Sequence, residues 1–145
     1  MITINLSDIE PIAYCIVVKE ILDSDRFLKG FCDNITMKYQ LKEVDEVVRK
    51  VKRELLTNIE SQKHFIGIKT LVLDLLDRIL ALSNRYLSIN VELASEVQNS
   101  VKSIIKKVAF SNDFSDFKKL SEEFSREVYL KMYKLFIEYI TLKSK

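Results

Sequence analysis

Apolar residues recur every three or four positions along most of the chain, which is the spacing of one face of an α-helix. Ser7 and Glu10 form a capping-box pair at the start of the first such stretch, which ends near Leu22. The alternating apolar and polar residues before it predict a short extended arm at 1–7. A second, shorter helix is predicted around residues 27–32.

The next two predicted helices differ in how much of their surface is apolar. Between residues 41 and 55 the apolar side chains form one narrow stripe and nearly all the others are charged, which predicts a surface helix with one docked face. Residues 62–86 instead carry apolar side chains on most sides. A helix of that kind belongs at the centre of a bundle or in a subunit interface.

Two further helices complete the predicted fold. One begins near Ser88 or Asn90 and continues to about Val108. Residues 112–117 are predicted to form a turn or a single-turn helix, after which Ser121 caps the last helix. The pattern therefore predicts an all-α fold, a single-domain bundle of six or seven helices over residues 1–145 around a central apolar helix at about 62–86.

The composition supports helices over sheets. The 145 residues include two glycines and one proline, far fewer than the tight turns of a sheet protein need. Apolar residues make up 48% and charged residues 30%, a mixture typical of a globular domain and not of a disordered chain. At this length one domain can bury enough surface without disulfides or metals.

The sequence shows neither a targeting signal nor a membrane span. The N-terminus lacks a basic segment followed by an apolar one, and charged residues interrupt every apolar stretch before 18 positions. Cys15 and Cys32 have no CxxC spacing and are too few for a disulfide scaffold, so we expect reduced thiols that fill helix faces. These features predict a cytoplasmic protein.

Residues suited to catalysis or metal binding are scarce. His64 is the single histidine, so a paired-histidine metal site cannot form and a catalytic triad would depend on this one residue. Two glycines cannot build a glycine-rich phosphate loop. We therefore predict no enzyme activity, no catalytic residue, no metal and no cofactor. An enzyme whose site is assembled from carboxylates and lysines remains an alternative.

Asp74, Asp77 and Arg78 interrupt the most apolar predicted helix. Isolated charges are costly to bury unless they are paired. Asp74 and Arg78 lie four positions apart, on one helix face and close enough to pair. We predict an intrahelical ion pair at the edge of the core, with Asp77 facing water. The alternative is that these charges line a cleft or a polar spot in a partner interface.

Basic residues cluster on the predicted surface helix, where they could contact the phosphates of a nucleic acid. Acidic residues lie among them, so a solvated face with internal ion pairs is the alternative. The net charge of +2 gives no long-range attraction to nucleic acid. The candidate nucleic-acid-binding residues are Lys42, Arg49, Lys50, Lys52 and Arg53.

Aromatic residues are concentrated on the last predicted helix and cover more than one of its faces. Core packing accounts for one face. A second aromatic face, if exposed, would anchor a protein partner, because tyrosine and phenylalanine are enriched in interface cores. The candidate protein-interface residues are Tyr129, Tyr133, Phe136 and Tyr139.

Residues 104–134, which read IIKKVAF, then an acidic and aromatic turn, then LSEEFSREVYLKMYK, are similar to the helical domain of GINS replisome subunits. In size and helical content the chain also resembles small subunits of type III CRISPR complexes, accessory primase subunits and virus-encoded Bcl-2-like inhibitors. The Asn-Trp-Gly-Arg groove signature of the last family is absent, since the chain has no tryptophan. None of these resemblances assigns a role to a particular residue.

The sequence thus predicts a non-enzymatic helical interaction subunit or adaptor that acts through protein–protein binding. Its expected partner is another protein or a second copy, with a homo-oligomer expected and no membrane partner. The alternative is an accessory nucleic-acid-associated subunit of a replication, primase or CRISPR-type complex that uses the basic helix face.

Overall fold

The structure is a computed structural model that describes residues 6–23, 42–60 and 65–143. Within these ranges every regular element is helical, so the all-α prediction is confirmed. A 3₁₀ turn, Ser83–Tyr86, extends the third helix, and a π-helical segment, Ser125–Tyr129, joins the last two into one continuous helix. The α-helices are α1 Leu6–Asp23, α2 Lys42–Glu60, α3 Phe65–Leu82, α4 Val91–Ala109, α5 Phe114–Phe124 and α6 Leu130–Lys143.

Several predicted features in the first half of the chain lie outside the described residues, and one differs from the structure. The short helix predicted at 27–32, together with Cys32, lies outside the described residues, and so does His64. Most of the predicted extended arm at 1–7 also lies outside them. Its last two residues are helical, because α1 already begins at Leu6.

The helix at the centre of the bundle is α1. It packs against α2, α3, α5 and α6, and nine of its apolar side chains are at most 1% exposed. The described part of the predicted central helix, α3, is instead one wall of the bundle. It contacts α1 and α4, while Ile66, Asp74 and Asp77 are exposed on its outer side.

In the second half of the chain, α4 and α5 each begin directly after a residue whose side chain caps the helix. Of the two predicted start positions, Ser88 and Asn90, it is Asn90 that caps α4, because its side-chain oxygen accepts the Leu93 N–H at 3.0 Å. The last helix begins earlier than predicted, with Asp113 accepting the Asp116 N–H at 3.0 Å. Ser121 is therefore not a cap; it lies inside α5, and its hydroxyl donates to a carboxylate oxygen of Asp23 in α1.

The π-helical segment allows α5 and α6 to bury the same side of one long helix. A π turn holds one residue more than an α turn and so rotates the following face. Val128 and Tyr129 of this segment are buried together with Phe124 before it and Met132 after it. In the described residues no helix is both long and apolar enough to span a bilayer.

Candidate interaction surfaces

The basic residues predicted as one surface of α2 are divided between surface and core. Arg49, Lys50 and Arg53 are exposed, whereas the side chain of Lys42 lies outside the described part. Lys52 is 0% exposed and forms an ion pair with Glu20 of α1. The prediction that Lys52 contacts nucleic acid is therefore wrong, because its side of α2 packs against α1.

Lys50 lines a groove of about 260 Å³ between α1 and α2. Glu46 and Glu54 line the same groove from one turn before and one turn after Lys50, and Glu10 faces them from α1. Three carboxylates thus accompany one ammonium group, so this side of α2 does not favour phosphates. For the exposed Arg49 and Arg53, nucleic-acid binding stays a prediction.

Arg78 connects α3 to α1. Its guanidinium carbon lies 5.8 Å from the centre of the Tyr14 ring, and its Nη1 lies 3.5 Å from the Tyr14 hydroxyl. Asp74, Asp77 and Arg78 are all exposed. Among the described residues Asp74 and Arg78 do not form the predicted ion pair, because the arginine extends toward the aromatic ring of the neighbouring helix.

The four aromatic residues predicted as a protein interface do not form an exposed face. Tyr129 and Phe136 are 2% and 0% exposed, so the prediction is wrong for both. Tyr139 is half-buried, and its hydroxyl donates to Oδ1 of Asp8 at 2.9 Å. Tyr133 is half-buried as well, and its ring centre lies 6.4 Å from that of Tyr129 and 6.5 Å from that of Phe136. Core packing accounts for most of this aromatic surface.

Two ionisable groups near this aromatic layer are kept neutral. Burial raises the pKa of the Tyr86 phenol, whose ring centre lies 5.5 Å from that of Tyr139. Burial likewise raises the pKa of the Cys15 thiol above its ordinary value. A neutral thiol is a poor nucleophile and metal ligand. Cys15 is therefore a core residue, as the sequence predicts.

Exposed apolar side chains lie on the side of α6 that faces away from the core. Leu130 is 59% exposed and Ile137 is 41% exposed, and between them Tyr133 is half-buried and Lys134 exposed. Positions 130, 133, 134 and 137 share one helix face. We call these four residues the α6 outer face. Leu130 and Ile137 are not among the predicted interface residues, although their spacing opposite the core stripe is visible in the sequence.

A further exposed apolar side chain lies where α4 ends. Phe110 is 83% exposed, and Lys106 and Lys107 precede it by one turn. The phenylalanines that begin α5 behave differently. Phe114 and Phe117 pack against Phe65 of α3, with ring centres 5.1 and 4.8 Å apart. Of these neighbouring aromatic side chains, Phe110 is the one that remains in solvent.

Ion pairs connect α4 with the π-helical segment. Lys131 Nζ lies 3.0 Å from a carboxylate oxygen of Glu127 and 3.4 Å from one of Glu96. Hydrogen bonds from Lys131 and Arg126 lower the pKa of Glu127, and the bond with Glu127 raises the pKa of Lys131. Exposed pairs of this kind contribute little to stability, so their main effect is to orient these side chains.

Within the described ranges no three or more His, Cys, Asp or Glu side chains are grouped in a way that could hold a metal ion. Comparison of the chain with protein-family models, with characterised proteins and with solved structures gives no match. The comparisons therefore lend no support to the resemblances of residues 104–134 or of the whole chain. The exposed surfaces themselves are the basis for a functional proposal.

Proposed function

We propose that this protein is a non-enzymatic helical interaction subunit that assembles with a second copy of itself through the α6 outer face. The observation that supports this proposal is the exposure of Leu130 and Ile137 on either side of Tyr133 and Lys134. Apolar side chains grouped on one face are typical of protein contact surfaces, whereas single exposed apolar residues are not.

The arrangement of the α6 outer face fits a two-fold symmetric contact. Leu130 and Ile137 are seven positions, or about 10.5 Å, apart along the helix, and their midpoint lies between Tyr133 and Lys134. If two α6 helices pair in opposite directions about that midpoint, Leu130 of each copy lies opposite Ile137 of the other. A two-fold interface requires this kind of self-complementary surface.

The charges on the α6 outer face favour antiparallel pairing. In a parallel pair Lys134 would face Lys134 of the second copy, and the two helix dipoles would repel each other. In the antiparallel pair each Lys134 instead lies beside Tyr133 of the other copy, where an ammonium group is attracted to an aromatic ring. The opposed helix dipoles also attract. A second copy would therefore bury the apolar side chains of this face and also provide a partner for Lys134.

Light scattering on a size-exclusion column, at several protein concentrations, tests the proposal. The wild-type protein should change from monomer to dimer as the concentration rises. Leu130→Glu and Ile137→Glu should each remain monomeric, because a carboxylate would be buried unpaired in the contact. The matched control is Ile66→Glu, which adds the same charge at a 76% exposed position on α3. Dimerisation of the two α6 variants at wild-type concentrations would overturn the proposal.

A further inference from the structure

We propose that the turn between α4 and α5 binds single-stranded nucleic acid, with Phe110 as a stacking surface for a base and with Lys106 and Lys119 as phosphate contacts. The three residues line an open recess of about 470 Å³. The recess is distinct from the α6 outer face, so this binding does not depend on self-assembly. It is also distinct from the arginines of α2.

The first observation is the position of Phe110. It is the most exposed large apolar side chain in the described part of the chain, at 83%. A phenyl ring left in water gives up the stabilisation that its burial would provide, and the nearby Phe114 and Phe117 do obtain it. Exposed aromatic rings next to cations are the surfaces on which single-stranded nucleic acids stack their bases.

The second observation is that hydrogen bonds fix the backbone beneath the ring. The Phe110 N–H donates to the Lys106 carbonyl at 3.1 Å, and the Ser111 hydroxyl donates to the Lys107 carbonyl at 2.9 Å. Lys69 of α3 donates to the Ser111 carbonyl at 3.0 Å. Because these bonds already fix the backbone, only the side-chain torsions of Phe110 lose freedom when a base stacks on the ring, which lowers the entropic cost of binding.

The third observation is the charge of the recess. Lys107 forms an ion pair with Glu123 at 2.5 Å, and the carboxylate of Asp116 accepts the Asn112 N–H at 2.8 Å. Lys106 and Lys119 form no ion pair with any described residue. Their ammonium groups remain available to an anion near the Phe110 ring.

The shape of the recess distinguishes nucleic acid from other anionic partners. An amphipathic helix or a membrane surface needs a row of apolar contacts, whereas the apolar side chains that line this recess are Phe110 and Leu120. One ring with flanking cations suits one flat base with its neighbouring phosphates. In a duplex the base faces are covered by stacking, so the partner that fits is single-stranded.

Fluorescence anisotropy with a short labelled oligonucleotide tests the assignment on the 145-residue chain. We expect the single strand to bind and its duplex to bind at least tenfold more weakly. Phe110→Ala should weaken binding of the single strand about tenfold and leave its salt dependence unchanged. The double variant Lys106→Glu with Lys119→Glu should abolish binding, because two phosphate contacts are lost.

Two controls make the result specific. Lys102→Glu changes an exposed lysine of α4 that does not line the recess, and it should bind within twofold of wild type. Leu130→Glu should also bind like wild type, because the recess is distinct from the α6 outer face. Equal binding of duplex and single strand, an unchanged affinity of Phe110→Ala, or no binding of either strand at low salt would each overturn the proposal.

Discussion

The Lys52 side chain is completely buried and forms an ion pair with Glu20, which joins α2 to the central helix α1. In the sequence Lys52 is one of four basic residues within 49–53, so the pattern predicts that it lies on the surface. A lysine is stable in the interior where a counter-charge meets it. The contact therefore assigns Lys52 a structural role and removes it from the exposed charges of α2.

Replacement of Lys52 by methionine should lower the free energy of unfolding by about 3–5 kcal/mol, because it leaves the Glu20 carboxylate in a nearly dry site without its cation. Chemical denaturation followed by circular dichroism measures the change. Lys50→Met, at an exposed position two residues earlier, should cost no more than about 0.5 kcal/mol. The pair Glu20→Met with Lys52→Met should recover most of the loss. Equal stability of the two single variants would contradict the account.

Much of the fold can be predicted from apolar spacing, because each helix has a buried stripe at the helical period. On α2, for instance, Val44, Val48 and Val51 are all buried as their spacing indicates. Which helix lies at the centre of the bundle is harder to predict from the sequence. Burial depends on how many neighbours cover a helix, and in α3 the side chains of Leu71 and Leu73 are only partly buried.

The exposed surfaces are harder to predict than the core. In the sequence Phe110, Phe114 and Phe117 look alike, and only the turn between α4 and α5 separates the exposed ring from the packed ones. The aromatic residues of α6 present the same difficulty. Tyr129 and Phe136 have the side chains of interface anchors, but α6 turns them inward and leaves Leu130 outside.

Tyr139→Phe should lower the free energy of unfolding by about 1.5–3 kcal/mol, the usual contribution of a hydrogen bond to a charged group. The lost hydroxyl donates to Asp8, which is 5% exposed in the first turn of α1. Thermal or chemical unfolding measures the loss. Tyr133→Phe removes a hydroxyl from the outer side of the same helix and should change stability by less than about 0.5 kcal/mol. Equal free energies of unfolding for Tyr139→Phe and Tyr133→Phe would contradict the structural role of the Tyr139 hydrogen bond.

Cys15 should be inert toward thiol reagents in the folded protein. Burial raises the pKa of its thiol, so the reactive thiolate is scarce even at mildly alkaline pH. A Cys32→Ser variant makes Cys15 the single thiol of the chain, and its reaction with a chromogenic disulfide reagent can be followed directly. We expect reaction only after addition of denaturant. Rapid labelling of the folded variant would contradict the burial of this residue.

The carboxyl group of Glu127 should titrate below its ordinary value of 4.5, because hydrogen bonds from Lys131 and Arg126 stabilise its charged form. The sign follows directly: this pairing stabilises the folded state above the ordinary pKa and is lost as the pH falls through the lowered one. Carbon-detected NMR titration measures the pKa. Lys131→Met should raise it toward the ordinary value, while Lys131→Arg should not. The same Glu127 pKa in Lys131→Met and Lys131→Arg would contradict the conclusion that the hydrogen bond from Lys131 lowers it.

Disulfide cross-linking between two variants that each carry one exposed cysteine, with Cys15 buried in the core, tests self-assembly through the α6 outer face most directly. Leu130→Cys and Ile137→Cys, each combined with Cys32→Ser, would be mixed and oxidised, and the products identified by mass. Antiparallel pairing about the midpoint of Tyr133 and Lys134 predicts that the disulfide between the two different variants forms fastest. Disulfides between identical variants would indicate a parallel contact. Cross-linking no faster than for Ile66→Cys, an exposed position on α3, would contradict assembly through α6.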